Sequence, residues 1–174
     1  VVTVSALAQG TVNFNNNVWT GTSSRPVFLN DGVTRLVGTD YVAQLYFGTV
    51  GTPAASLQPV GNFGRFRVVT TASPGTWSGS TITLPGIAAG QTAALQVRVW
   101  NATLFPAGYA AALAGGGIRG TSAEFSYTVP AGSTPAPNEF WMANFGSFTL
   151  VPEPSTIALG VVGLAGLLFL RRRK

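Results

Sequence analysis

Cysteine and histidine are both absent from these 174 residues. Without cysteine the chain has no disulfide bond, no thiol nucleophile and no cysteine-based zinc site. Without histidine it lacks the commonest general base and a favoured metal ligand. These two absences exclude much enzyme chemistry, and we expect a protein that is not an enzyme and binds neither a metal nor a cofactor.

Charge is also scarce, since charged residues make up 9% of the chain where about 25% is usual for a soluble domain. Hydrophobic residues make up 46%, which is too apolar for a disordered chain, because disorder needs low hydrophobicity and high net charge. The length allows one folded domain of ordinary size once the two ends are set aside.

The net charge of +5 is concentrated at the C-terminal end, where four of the ten basic residues stand together. Those four are Arg171, Arg172, Arg173 and Lys174. Between residues 9 and 150, six arginines face four acids, a net charge of +2, and there is no lysine. The six arginines are Arg25, Arg35, Arg65, Arg67, Arg98 and Arg119. Scattered arginines make a poor basic face, so we expect no nucleic-acid partner.

The region between residues 9 and 150 is predicted to be an all-β domain, because short alternating segments are separated by Gly, Pro and Asp-Gly turns. Strands are predicted at 27–30, 33–37, 41–47, 63–70, 95–100, 123–129 and 145–151, with further candidates at 11–19 and 81–84. In the strand at 95–100, Leu95, Val97 and Val99 are expected to point inward and Gln96 and Arg98 outward. One short helix is predicted at 107–114, since Pro106 precedes it and three glycines follow it. The spacing favours an antiparallel β-sandwich or a jelly-roll-like domain.

The first eight residues predict a remnant of a signal peptide. Ala6-Leu7-Ala8 has the small-x-small pattern of a signal-peptidase site and follows a short apolar run. Cleavage after Ala8 would begin the mature domain at residue 9. The alternative is that residues 1–4 form an edge strand that starts the domain.

The last 24 residues have three parts in order. Residues 151–156 contain Pro152, Glu153 and Pro154, residues 157–170 carry no charge, and residues 171–174 are basic. Fourteen residues of helix span about 21 Å, less than the bilayer core of about 30 Å. The adjoining basic side chains can reach the headgroups and extend that span. We therefore predict a transmembrane helix at 157–170, with the basic tail in the cytoplasm and the domain outside.

This arrangement resembles the PEP-CTERM sorting signal of bacterial surface proteins. The resemblance implies processing near Pro152-Glu153-Pro154 by an exosortase, a membrane-embedded cysteine peptidase-transferase. It also implies a precursor in the inner membrane and a final place at the cell surface or in the extracellular matrix, including the matrix of a biofilm. The domain loosely resembles ectodomains that accompany such tails, in segments 8–14, 43–46 and 95–100. Those ectodomains have no established biochemical role.

The carboxylates between residues 9 and 150 give little support to catalysis. Asp31 belongs to a predicted turn, Asp40 to a loop, Glu124 to the outer face of a strand and Glu139 to a loop. A glycosidase would need two of them about 5 to 9.5 Å apart, and Asp40 with Glu139 could meet in space to provide such a pair. The sequon at residues 101–103 is too short a pattern to assign glycosylation.

Two functions remain open for the domain. The first is a structural surface or matrix protein that associates with itself. The alternative is a polysaccharide-binding module, in which Trp77, Trp141 and Trp100 stack on sugar rings; the competing interpretation places these tryptophans in the core. An exposed coplanar pair of tryptophan side chains would favour polysaccharide binding, and burial of all four tryptophans of the chain would favour the structural role.

Overall fold

The computed structural model describes residues 9–17, 24–68, 73–131 and 141–152, and this part of the chain is mostly β-strand. The elements are β1 (Gln9–Phe14), β2 (Val27–Phe28), β3 (Tyr41–Thr49), a 3-10 turn (Ala54–Ser56), β4 (Gln58–Arg65), β5 (Ser80–Ala88), β6 (Thr92–Asn101), α1 (Tyr109–Ala114), β7 (Arg119–Thr121), β8 (Phe125–Thr128) and β9 (Phe148–Thr149). The prediction of an all-β domain with antiparallel sheets and a short helix after Pro106 is confirmed.

The main sheet has five strands, with β3 and β6 at its centre. β4 is the outer neighbour of β3. β7 and β8 both pair with β6, β7 with its C-terminal half and β8 with its N-terminal half. All of these pairings are antiparallel. Both faces of the sheet are covered at β6, and seven of the ten residues of this strand are buried.

One face of the main sheet carries the principal core, which is shared with the antiparallel pair β1–β5. The side chains that meet there come from alternate positions of each strand, as a strand with one buried face requires. They include Val12, Phe14, Ile82, Leu84, Leu45, Leu95, Val97 and Val99. The predicted inward direction of Leu95, Val97 and Val99 is therefore confirmed.

The opposite face of the main sheet is covered by α1, its flanking loops and the 3-10 turn. Val42 and Trp100 pack with Ala112 of α1, and Tyr46 packs with Leu57 beyond the 3-10 turn. Gln96 points to this face, away from the principal core as predicted, and the elements that cover the face bury it. The alternation of residues in β6 predicts correctly which face of the sheet each side chain occupies. It does not show what packs over that face.

The predicted Asp-Gly hairpin is present, although β2 is shorter than predicted. Phe28 bridges Arg35 across it, and Gly32 adopts φ +71°, a conformation that glycine reaches without strain. Oδ1 of Asp31 accepts hydrogen bonds from the backbone N–H groups of Val33 and Thr34 at 2.9 and 2.8 Å. The Thr34 hydroxyl and these two N–H groups hold the pKa of Asp31 below its usual range. Asp31 thus organises the turn, as predicted.

Three parts of the chain are joined by the buried amide of Asn16. Its Nδ2 donates to the carbonyl oxygens of Arg25 and Gly75 at 2.8 and 3.0 Å. Its Oδ1 accepts from the backbone N–H of Trp77 at 3.1 Å. The amide is therefore fully used by groups that come from before β2 and before β5. Without it the carbonyl of Arg25 and the N–H of Trp77 would lose these hydrogen bonds, whereas the carbonyl of Gly75 would keep the one from the N–H of Val27 at 2.9 Å.

The variant Asn16→Asp tests this junction, because it replaces a donor between two carbonyls with a carboxylate oxygen. We expect the free energy of unfolding to fall by about 3 kcal/mol or more, because two hydrogen bonds to carbonyls are lost and a charge is buried beside those carbonyl oxygens. The measurement is urea unfolding of the full chain in mild detergent, followed by tryptophan fluorescence. The control Asn144→Asp removes one exposed hydrogen bond, to the carbonyl of Ser126, and should cost less than about 1 kcal/mol. Equal losses would contradict the role of Asn16.

Several predictions fall outside the described residues. These are the signal-peptide remnant at 1–8, the helix at 157–170, and the side chains of Glu139, Glu153, Pro154, Arg171, Arg172, Arg173 and Lys174. Across the described ranges, no helix has the length and apolar character needed to cross a bilayer.

Candidate functional site

The C-terminal end of the domain is the candidate site, because the predicted sorting motif begins there. We call residues 148–152 the exit segment. On one side of it, β9 pairs in parallel with β2, with Phe148 opposite Val27 and Thr149 opposite Phe28. The backbone N–H of Leu150 then donates to the carbonyl oxygen of Phe28 at 2.8 Å.

The other side of the exit segment is bound to β7. The backbone N–H of Val151 donates to the carbonyl oxygen of Arg119 at 2.7 Å, and the N–H of Arg119 donates back at 3.5 Å. This approach depends on Gly120, because a Cβ there would lie 2.7 Å from Cδ2 of Leu150 and 3.1 Å from the carbonyl oxygen of Thr149. A side chain at position 120 would require the Leu150 side chain and the backbone at Thr149 to shift.

Side-chain burial ends abruptly along the exit segment. Leu150 is buried in the principal core, and the Phe148 ring meets the Phe145 ring edge to face at 6.1 Å between centroids. Val151 is 59% exposed, and Pro152 is exposed. Packing into the core therefore stops at Leu150, backbone pairing stops at Val151, and the first residue of the predicted Pro-Glu-Pro motif is the first one free of both.

Two of the three tryptophans predicted to bind glycans are buried. Trp77 lies at the centre of the principal core, and Nε1 of its indole donates to the carbonyl oxygen of Phe14 at 3.2 Å. Trp100 lies on the opposite face of the sheet, where its Nε1 donates to the carbonyl oxygen of Phe105 at 3.2 Å. Neither ring can stack on a sugar, so the prediction is wrong for these two residues. Trp141 is half-buried and bridges Asn13 through its backbone.

The errors at Trp77 and Trp100 have different causes. Phe66 and Trp77 form an antiparallel bridge that turns the indole of Trp77 inward, and no local pattern in the sequence indicates this pairing. Trp100 does lie on the side of β6 away from the principal core, as its position in the strand implied. The loop after β6 and α1 cover that side, and this cover buries the ring.

An aromatic surface that the sequence analysis missed lies beside Trp100. The Phe63 ring is 50% exposed and meets the Trp100 ring edge to face at 5.4 Å. The Arg98 guanidinium lies 3.9 Å from the centroid of the Tyr46 ring and 5.3 Å from that of the Tyr109 ring, within cation–π range. Burial raises the pKa of Tyr46, and the positive charge of Arg98 opposes that shift. Glycines interrupt the alternation of apolar and polar residues in β4, so the sequence does not show which face Phe63 occupies.

The carboxylates have structural partners or lie apart. Oδ1 of Asp40 accepts from the Thr103 hydroxyl at 2.8 Å, and Oδ1 of Asn101 accepts from the backbone N–H groups of Thr103 and Leu104. Glu124 is exposed and directly precedes β8. Within the described ranges, no group of three or more His, Cys, Asp or Glu residues could hold a metal ion. The pair Asp40 and Glu139 stays untested, because Glu139 lies outside those ranges.

One family model matches the chain, and it covers the region that begins in the exit segment. The model describes the PEP-CTERM protein-sorting motif and matches residues 150–174. No curated protein and no solved structure matches the chain. The motif implies export, processing by an exosortase and sorting to the cell surface through the membrane. The chain thus carries a PEP-CTERM protein-sorting motif at residues 150–174, and the Pro-Glu-Pro element of that motif begins directly after Val151, which pairs with β7.

Proposed function

We propose that the β-domain is the displayed part of an exosortase substrate and serves a structural, self-associating role at the cell surface or in the extracellular matrix. The observation that carries this proposal is the exit segment, where packing and pairing stop at the first residue of the motif. The principal core between the β1–β5 pair and the main sheet supports a β-sandwich. The proposed role is non-catalytic, in keeping with the structural uses of Asp31 and Asp40.

The exit segment restricts where processing can occur. A peptidase binds its substrate as an extended strand, and the backbone of residues 149–151 is already engaged by β2 and β7. The residues between Val151 and the apolar run are 152–156, and a chain of five residues extends to at most about 18 Å. We therefore place the scissile bond after Val151, so that β9 stays in the mature protein.

Loss of the motif should stop processing. The double variant Pro152→Ala with Glu153→Ala, expressed in a host with an exosortase, should accumulate as uncleaved precursor in the membrane fraction. The unaltered chain should yield a mature protein whose C-terminal residue, found by mass spectrometry, is Val151 or a later one. Normal release of the variant would refute the sorting role, and a mature end before Val151 would refute the place of the scissile bond.

If β9 is part of the folded domain, the adjacent residues Leu150 and Val151 should contribute very different amounts to the free energy of unfolding. Leu150→Ala leaves a cavity in the principal core, so we expect the free energy of unfolding to fall by about 2–5 kcal/mol. Val151→Ala is the matched control, since that side chain is mostly exposed and its backbone bonds survive, and it should cost less than about 1 kcal/mol. Urea unfolding of the full chain in mild detergent measures both. Similar values for the two variants would show that the exit segment is not part of the core.

The proposed self-association depends more on apolar side chains than on open strand edges. Native sheets protect their edges with lysine or proline, and the outer strands β4 and β5 each contain a proline, Pro59 and Pro85. Phe63 and Leu113 are each 50% exposed, Phe63 against the Trp100 ring and Leu113 beside Ala112, which packs with Trp100. We propose that this surface joins copies of the domain.

The double variant Phe63→Ser with Leu113→Ser should raise the concentration at which the mature protein associates by at least tenfold, because apolar contact area is removed. The control Val50→Ser changes one exposed side chain in the turn after β3 and should leave that concentration unchanged. Light scattering over a concentration series at moderate salt gives the comparison. A mature protein that stays monomeric at every concentration would count against self-association.

The alternative function, polysaccharide binding, is supported by the exposed half of the Phe63 ring and by the half-buried Trp141. Aromatic rings at a surface can stack on sugars through their apolar faces. A glycan array with the mature protein distinguishes the two functions, because binding lost in Phe63→Ser and retained in Val50→Ser would favour this alternative.

A further inference from the structure

The strand directions place two loops beside the point where the chain leaves the domain. β2 and β9 run in parallel, so the turn that follows β2 lies at the same end as residues 150–152. A Cβ on Gly32 in that turn would lie 3.9 Å from Cγ2 of Thr149. Val151 and Arg119 pair in antiparallel fashion, so Ile118, which precedes Arg119, lies on the side of Pro152. Both loops therefore flank the departing chain.

These flanking positions carry exposed apolar side chains and basic residues. Val33 is 79% exposed, Ile118 is 45% exposed and Val151 is 59% exposed. Arg35, also exposed, follows the turn, and Asp31 within the turn is held by Thr34 and backbone N–H groups. We call Val33, Ile118 and Val151 the exit face. Its surroundings carry the charges of Arg35, Arg119 and Asp31, a sum of +1.

The length of chain beyond Val151 determines what this face meets in the precursor. Five residues, 152–156, separate Val151 from the apolar run that begins at Ile157. Fully extended they reach about 18 Å at most, and each headgroup layer is itself about 5–7 Å thick. When residues 157–170 are inserted, as the proposed function requires, the exit face stays within that distance of the hydrocarbon.

We propose that the exit face rests on the headgroup layer of the membrane that holds the precursor. Val33, Ile118 and Val151 contact the lipid, and Arg35 and Arg119 lie near its phosphates. The tether makes a weak contact sufficient, because binding of the face is then an intramolecular step at high effective concentration. The inference rests on the proposed function, since it needs the inserted tail. It adds a lipid contact that holds the domain in one orientation over the membrane.

The experiment uses the absence of cysteine, which allows one probe at a chosen place in the full chain. Val33→Cys and Ile118→Cys place an environment-sensitive fluorophore on the exit face. Val50→Cys is the matched control, because Val50 is 65% exposed and follows Thr49, which pairs with Ala93 at the far end of the β3–β6 pair from Trp100 and β7. Each labelled chain is reconstituted into nanodiscs of phosphatidylethanolamine and phosphatidylglycerol, with and without nitroxide-labelled lipid.

We expect nitroxide lipid to quench the probes at positions 33 and 118 at least threefold more than the probe at position 50. Equal quenching at all three positions in an inserted chain overturns the inference and leaves the proposed function standing. Extraction with alkaline carbonate reports insertion separately, and a chain that is not inserted overturns both. Probe fluorescence at positions 33 and 118 could instead change with the protein-to-lipid ratio and stay the same with nitroxide-labelled lipid. That result would overturn the lipid contact in favour of contact with a second copy of the chain. Circular dichroism confirms that each variant is folded.

Discussion

The burial of Trp77 is the constraint on which the rest of the domain depends. Its indole fills the space between β1 and β4, with the rings of Phe14, Phe66 and Phe145 at 5.0, 5.7 and 5.8 Å between centroids. The ring lies so close to β4 that a Cβ on Gly64 would be 2.2 Å from Cδ1. Because the indole N–H also bonds to the carbonyl of Phe14, one side chain fixes the spacing of both layers of the principal core.

The few charges of the domain are used mainly to bind its own backbone. Nη2 of Arg98 donates to the carbonyl oxygen of Ala54 at 2.7 Å, Nη1 of Arg65 to that of Thr39 at 2.8 Å, and Nη2 of Arg25 to that of Ala143 at 2.9 Å. Each bond joins segments far apart in sequence. A charged donor to a carbonyl makes a stronger hydrogen bond than a neutral donor does, so a chain with little charge gains order from each arginine.

Local patterns predicted the local structure, and non-local pairing escaped them. The alternation of β6, the Asp31 turn and the helix after Pro106 could be predicted because each depends on residues within one element. The buried position of Trp77 could not be predicted, because it depends on a backbone bridge to Phe66 that no pattern in the sequence indicates. The tail was the clearest part of the site in the sequence. The parallel pairing of β9 with β2 joins strands 121 positions apart, as the register of Val27 and Phe148 shows, and no pattern in either strand indicates it.

The pairing of the exit segment also determines how the domain resists mechanical force. A pull on the tail acts along β9, while the hydrogen bonds that hold this strand run across it to β2 on one side and to β7 on the other. The bonds at Leu150 and Val151 are therefore strained together in shear rather than opened one after another like a zipper. Leu150, anchored in the core behind them, would have to leave at the same time. The exit segment is thus clamped against a pull on the residues that follow it.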